Sequence, residues 1–425
     1  MTLRPANLVL AVTAAAGAVT GPVGAQVVPV DNEPRVFLVT LQPGEEVWER
    51  FGHNALWIHD PEAGTDIAYH YGLFDMSESG FMTRFLQGRM EYSMGAANAL
   101  RLIDAYRSVG RDASIMELRL TREQIRELQT FLEWNLLPEN RVYRYDYFRD
   151  NCSTRIRDAL DRVLDGTLRD TLDAIPTPIT FRSEAVSLVM GTPLLAVGMD
   201  LGLGPLADQP ITRWDLAFIP MRLHEDVRRV TVPVGGRALP IVVRETRLPA
   251  IGEADEAGRV AEAARNPGPT PQRLAAMLLI GLLVGAVFAV AGYLASPARS
   301  RGANGTAGRW TLAVGGAAWG LTTGILGLIL LGLWALTDHE FAHTNENLLQ
   351  ANPLALGLAV LVPLAAVGGR TRAARMLAYV LLGLSIAGLF LNPLPVTRQA
   401  NLGIIALALP IHLGLALGLR RLDRG

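Results

Sequence analysis

The stretch Tyr143-Arg144-Tyr145-Asp146-Tyr147-Phe148-Arg149-Asp150-Asn151-Cys152-Ser153-Thr154-Arg155-Ile156 decides the fold. Asn151 is a strong helix N-cap. Ile156, Ala159, Leu160, Val163 and Leu164 then share one helical face, and Gly166 is the stop signal. Cys152 therefore falls in the first turn, four residues before Ile156, on the face that packs inward. Upstream, 35–41, 53–58 and 67–72 are β-branched and aromatic runs. The last two are separated by Asp60-Pro61-Glu62-Ala63-Gly64. Residues 114–120 alternate as a half-buried strand. Thr121 and Gln124 form a capping box for a helix that stops before Pro138. Downstream, 230–234 and 238–243 flank Gly235-Gly236 as a hairpin. Strands and helices that do not alternate regularly make this domain α+β.

The remainder of the chain is different in character. Of 425 residues, 50% are apolar and 19% charged, which excludes a disordered protein. Formal net charge is −1, which leaves no basic field to hold nucleic acid. All 39 cations are Arg, so lysine chemistry is excluded, and one Cys allows no internal disulfide and no cysteine metal cluster. Residues 1–25, with Arg4, an apolar run and Val23-Gly24-Ala25, read as a secretory signal peptide. No Cys follows the expected cut, so the chain is not expected to be a lipoprotein itself. Residues 26–248 are the extracytoplasmic domain, and 249–273 form an acidic, Pro-rich linker. Residues 274–425 carry five apolar segments, at 274–295, 310–336, 353–368, 376–391 and 401–419. Arg-rich loops (Arg299, Arg301, Arg309; Arg370, Arg372, Arg375; Arg420, Arg421, Arg424) alternate with loops holding only Arg398. The positive-inside rule then puts the domain on the periplasmic side of an inner membrane and the C-terminus in the cytoplasm.

The thiol is the reactive candidate, because a helix N-terminus favours negative charge. A nucleophilic thiol needs a base, and His53, His59, His70 and His224 are available. Neighbouring strands would set His53 beside Cys152 and His70 behind it as the orienting group. An inert buried cysteine is the alternative. His53, His59, His70 and Asp75 as metal ligands is another, but they form no compact ligand motif and no metal or cofactor is expected.

The order His strand, second polar strand, then Asn-Cys at a helix start resembles the circularly permuted papain-like folds, including LRAT-like acyltransferases and NlpC/P60 relatives. Two longer runs are more specific. One is Pro43-Gly44 with Trp48-Glu49-Arg50-Phe51-Gly52-His53-Asn54-Ala55-Leu56 and Tyr71-Gly72-x-Phe74-Asp75. The other is Tyr143 through Asp158. Both resemble the Lnb N-terminal periplasmic domain family over about residues 33–245. The membrane half, with Asn345-x-Asn347-Leu348-Leu349 and Asn352-Pro353-Leu354, resembles Lnb as well.

The resemblance implies a permuted papain-like domain followed by an all-α five-helix membrane bundle. It also implies apolipoprotein N-acyltransfer, from a phospholipid through a Cys152 thioester to the N-terminal amine of a diacylglyceryl-cysteine lipoprotein. Cys152 matches the nucleophile and His53 the base, and His70 fills a slot that the family often fills with Asn. The Asn-Cys-Glu-His run of LRAT proteins is replaced by Asn151-Cys152-Ser153-Thr154. For substrate contacts, Tyr143, Tyr145, Tyr147 and Phe148 are candidates to wall an acyl channel. Asn151, Arg155 and Arg157 lie at the nucleophile helix. The outer loop 337–352 is polar and offers His339 and Asn345. His412 lies within the last apolar segment. Two other functions fit the residues: a papain-like peptidase or amidase acting on cell-wall peptide, and a membrane-anchored binding or signalling protein with a structural Cys152.

Overall fold

The run Arg-Val-Phe-Leu-Val-Thr-Leu of strand β1 (Arg35–Leu41) is buried on both faces from Val36 onward, as only a central strand can be. The computed structural model describes residues 33–251, 271–297, 299, 302–394 and 399–422. The signal peptide expected at 1–25 and most of the linker expected at 249–273 lie outside them. β1 pairs with β2 (His53–Asp60) on one side and β5 (Ala113–Leu118) on the other. β3 (Thr65–Leu73), β4 (Glu91–Asn98) and β6 (Val142–Arg144) extend one edge, and β9 (Val242–Leu248) closes the other. The order is β6-β4-β3-β2-β1-β5-β9, with every pair antiparallel. The expected late hairpin is shorter than its sequence pattern: β7 (Thr231–Val234) pairs with β8 (Arg237–Pro240). Ile241 then breaks the run, so that the following residues pair with β5 as β9.

Period-two alternation gives the sheet two apolar faces. Val36, Leu38, Leu56, Ile58, Tyr69, Tyr71, Met116 and Leu118 belong to the larger core, which helices α3 (Arg122–Leu136) and α4 (Cys152–Val163) complete with Leu128, Leu132, Ile156 and Leu160. Val39, Leu41, Ala55 and Ala68 line the other face, packed against Ala99 and Ile103 of α2 (Ala99–Ser108). The expected caps are both in place: Thr121 with Gln124 for α3, and Asn151 for α4. Helix α1 (Phe81–Gln87) links β3 to β4. Short helices α5 (Thr167–Asp173), α6 (Phe181–Leu188), α7 (Pro193–Gly202), α8 (Arg213–Leu216) and α9 (Pro220–Val227) follow α4.

The C-terminal part is helical: α10 (Pro271–Ala295), α11 (Ala303–Leu336), α12 (Leu356–Ala366), α13 (Thr371–Leu391) and α14 (Leu402–Leu422). Four of these are long and apolar enough to cross a membrane. The third expected span is the exception. α12 has 11 residues, a rise of about 16 Å against a hydrocarbon core of about 30 Å. It counts as a span only together with the turns at Glu340–Leu349, from which it is bent by 47°. Glycines let the backbones close up. A Cβ on Gly285 would collide with the Pro410 carbonyl oxygen, and one on Gly292 with the Gly418 backbone, so α10 and α14 run parallel. Gly327, Gly324, Gly320 and Gly316 of α11 meet Asn352–Pro353, Leu356, Leu358 and Val362 in turn, so α12 runs antiparallel to α11.

The outer loop is a clasp rather than a solvated connection. Asn345, Asn347 and Gln350 are buried. Asn345 Nδ2 donates to the carbonyls of Leu201, Gly202 and Leu203 at 2.8–3.2 Å, and Gln399 Nε2 donates to Leu203 O and Asn345 Oδ1, both at 3.0 Å. Arg89 and Arg144 both reach Asp338, at 2.9 and 3.1 Å. On the domain side, buried Arg182 pairs with Asp208 at 2.8 Å and donates to Leu203 O and Gly204 O. Arg182→Ala strands the Asp208 carboxylate in a buried site, a loss of about 3–5 kcal/mol. The expected outcome is a lower unfolding midpoint in detergent, with exposed Arg237→Ala unchanged. Equal midpoints would show that the 200–208 segment is held by other contacts.

Candidate active site

Asn151 builds the site. Its Oδ1 accepts from the amides of Ser153 and Thr154 at 2.8 and 3.0 Å, which satisfies two donors at the start of α4. Its Nδ2 donates to Tyr147 O at 2.9 Å and Phe218 O at 3.0 Å, so one side chain ties the helix start to two loops. Ser153 Oγ donates to Ala217 O at 2.7 Å and accepts from Asn54 Nδ2 at 3.1 Å. Asn54 in turn accepts from Thr40 Oγ1 at 2.9 Å. This buried relay fastens the helix start to β1 and β2. Cys152 is held against β3 too, because a Cβ on Gly72 (φ +90°) would sit 3.3 Å from Cys152 Cβ. Only a residue without a side chain fits that backbone this close to the cysteine.

Cys152 is partly exposed as a residue while its sulfur is buried, and the backbone amides of Asn54, Cys152 and Ser153 are directed at that sulfur. Desolvation nevertheless dominates and pushes it up to about 11; the amides and the Arg111 charge only partly offset this. His53 Nε2 lies 3.0 Å from His70 Nδ1, with the two rings edge to face. Burial lowers His70 to about 4. His53 is also well below the usual imidazole range, through burial first and then the fields of His70 and Arg111. Both rings are therefore neutral at pH 7 and share one proton between the facing nitrogens. If His53 donates from Nε2 and His70 accepts at Nδ1, then His53 Nδ1 keeps a free lone pair that can accept a proton.

Two residues at this centre carry no motif that points to it. Tyr106 of α2 lies parallel to the His53 ring, 5.9 Å between centroids and 5° apart. The Arg111 guanidinium sits 4.5 Å over that phenol, with Nε donating to Gln42 O at 2.7 Å and Nη1 paired with Glu49 at 3.2 Å. Its Nη2 is buried without a hydrogen-bond partner among the described residues. On the opposite side, Tyr143 and Tyr145 feel the thiol, and Tyr145 is followed by Tyr147, which stacks on His339 of the clasp at 6.0 Å. Tyr92 packs against Tyr145 at 4.3 Å.

Residues 31–185 match the family described as the Lnb N-terminal periplasmic domain, and residues 310–420 match the Lnb transmembrane domain. The chain is an Lnb family protein. No curated protein and no solved structure matches it. The two matched regions include Cys152, His53, His70, Tyr106 and Arg111 in the first, and His339 and Asn345 in the second.

Other candidate residues of this Lnb protein are placed away from the thiol or are already engaged. Arg155 makes a two-pronged pair with Asp150 at 2.6 and 2.8 Å and lies 3.7 Å over the Tyr143 ring. Arg157 donates to Trp214 O at 2.8 Å and stacks on that indole. Asn345 is taken up by the carbonyls of 201–203. His59 bonds Asp66 at 2.8 Å, and Asp75 accepts from Ser77, so neither joins the His53–His70 pair. Among the described residues no three potential metal ligands converge. His224 is on α9, 3.2 Å from Glu245, and burial lowers it to about 4.

These protonation states have two measurable consequences. An unfolded imidazole titrates near 6.5, so between there and about 4 the unfolded chain binds more protons than the fold. Stability is full above pH 6.5 and is lost as pH falls toward 4, by roughly 3 kcal/mol from His70 alone. Thermal melts of His70→Asn from pH 7.5 to 4.5 should be flatter than those of the parent, and parallel curves would contradict the assignment. The resting thiol should react with iodoacetamide roughly a hundred-fold more slowly at pH 7.5 than free cysteine, and faster by about tenfold per pH unit. A rate already flat at neutral pH would instead indicate a preformed thiolate–imidazolium pair.

Proposed function

We propose that this protein is a thiol acyltransferase of lipoprotein maturation, working on the periplasmic face of an inner membrane with its C-terminus in the cytoplasm. The observation that supports this reading is a cysteine sulfur met by three backbone amides on a helix that packs against β2 and β3, the strands carrying a neutral histidine pair, with an aromatic wall leading to the membrane clasp. The order of His strand, His strand and Asn-Cys helix is read as a permuted papain-like arrangement. The antiparallel course of α11 and α12, and the parallel course of α10 and α14, favour five crossings with the Arg-rich ends opposite the domain.

In the first half-reaction His53 takes the thiol proton as sulfur attacks the ester carbonyl of a phospholipid. Deprotonation has to accompany attack, because the resting thiol is neutral. The carbonyl oxygen gains charge and is met by backbone amides such as those of Asn54 and Cys152, a type of contact worth about 3–4 kcal/mol per donor in other hydrolases. The C–O bond breaks, His53 returns the proton to the lysolipid alkoxide, and a thioester remains. In the second half the neutral N-terminal amine of a diacylated lipoprotein attacks the thioester. Its proton passes to His53 and then to the departing sulfur, which restores the thiol. His70 accepts from His53 throughout and steadies the imidazolium as it forms. Tyr147 and His339 are assigned to the acyl or headgroup wall, while Asn151, Arg155 and Asn345 position the elements around it.

The test is intact-mass and fragment analysis of a diacylated lipoprotein incubated with phospholipid vesicles and the purified protein. One acyl mass gained on the N-terminal amine is expected with the parent chain and none with Cys152→Ala. His70→Ala should lower turnover about 10²-fold or more, within the usual range for proton-transfer catalysis, while His70→Asn keeps an acceptor and most of the rate. Gain with both the parent and Cys152→Ala would remove the nucleophile. Gain with neither, alongside cleavage of a cell-wall peptide, would favour the peptidase reading.

A further inference from the structure

Two short helices lie outside the bundle but at the level of its outer end. α7 starts three residues after Met190, whose sulfur accepts from Arg273 Nη1 at 3.2 Å, and Arg273 is in the first turn of α10. α7 ends where Asn345 and Asn347 hold the carbonyl of Leu201. It therefore runs across the rim from the start of one membrane helix to the clasp, instead of pointing into the domain. α1 ends against the clasp as well: the Asp338 amide donates to Gln87 O at 2.8 Å, and His339 Nε2 lies 3.1 Å from Phe85 O. Both helices turn an apolar face away from the protein. On α7, Leu194 is 85% exposed and Val197 50%, three residues apart on one side. On α1, Met82 is 58% exposed and Leu86 61%, four apart on one side. Leu336, which ends α11 two residues before Asp338, is itself exposed.

We propose that α1 and α7 are surface-lying helices whose exposed faces, Met82 with Leu86 and Leu194 with Val197, are seated in the outer leaflet of the lipid bilayer. The occupant follows from continuity. Each helix is fixed by hydrogen bonds to the loop between α11 and α12, and the residues just before α7 are bonded to the outer end of α10 through Met190 and Arg273. A bilayer that surrounds those helices meets α1 and α7 at its surface. Large apolar side chains left in water at two places on one plane are otherwise unexplained, whereas the interfacial region buries such faces. α1 also lies on the aromatic path to the thiol: Phe81 stacks on Phe74 at 5.8 Å, Phe74 on Tyr92 at 4.9 Å, and Tyr92 on Tyr145. The seat does not depend on the acyltransferase reading.

Because the chain has one cysteine, single-site labelling is direct. The full-length Cys152→Ala protein carrying Met82→Cys, Leu194→Cys or Ala63→Cys would be labelled with an environment-sensitive fluorophore and placed in phosphatidylcholine nanodiscs with or without brominated acyl chains. Ala63 is the control. It is exposed in the β2–β3 turn, at the far end of β3 from α1, about 30 Å along a nine-residue strand. Blue-shifted emission and at least twofold quenching by the brominated lipid are expected at 82 and 194, with none at 63. Quenching at 82 and 194 no greater than at 63 overturns the proposal. A blue shift that persists in detergent, ignores brominated lipid and rises with protein concentration also overturns it, and assigns the faces to a second copy of the chain. The lipid readout is indifferent to turnover, so it fails or succeeds separately from the acyl-transfer experiment.

Discussion

The Asn151 side chain is the joint on which the site depends. A cap normally satisfies two amides and holds one helix end. Here the same amide group also reaches the carbonyls of Tyr147 and Phe218, so the thiol's position is set by the helix, by the loop before it and by a segment more than sixty residues later. All four contacts are made by a buried side chain, where each unmet polar group would cost about 1–3 kcal/mol. That asymmetry keeps the cluster together: loosening one partner exposes the others to the same penalty. The neighbouring Thr40–Asn54–Ser153 relay repeats the device and fastens the helix start to the strand that bears His53.

The electrostatics of the centre follow from that packing. A helix N-terminus and three amides favour a thiolate, while burial opposes it, and burial wins. The same desolvation, aided by the fields of His70 and then Arg111, keeps His53 neutral. A neutral thiol and a neutral histidine pair leave the centre at rest with no separated charge. Arg111 contributes without contact: it is buried and stacked on the phenol that lies flat on His53.

Much of this arrangement could be read from local patterns. The central strands, the Thr121 and Asn151 caps and the Cys152 helix all rest on short-range rules, and they appear close to their expected bounds. Tyr106 and Arg111 were invisible because their roles come from a long-range meeting of α2, the loop before β5 and the first residue of β2, and none of these leaves a spacing in the sequence. The third membrane segment, expected at 353–368, is a crossing only as one arm of a bent pair, for a related reason. Hydropathy sees an apolar stretch at 353–368, but the Asn-rich turns before it are drawn to the side of α11 by the glycines at 320–327. The helix that remains is only 11 residues long. The polar loop 337–352 looks solvated by composition, yet its amides are used up on backbone carbonyls of another domain.

That last contact changes what the two halves of the chain mean for each other. A periplasmic domain tied to the bundle by chain connectivity alone would have no fixed orientation. The Asn345 amide, the Gln399 amide and the Arg89–Asp338–Arg144 cluster instead hold the domain to the outer loop at several separated points. Exposed ion pairs such as those at Asp338 contribute little individually. The buried amide-to-carbonyl bonds are different, since water cannot replace them without opening the loop. Tyr147 on the loop before Cys152 stacks on His339 of the clasp, so the contacts that dock the domain also fix the direction in which the thiol faces the bundle. Positioning the site and attaching the domain are therefore one structural problem with one solution, centred on residues 338–347.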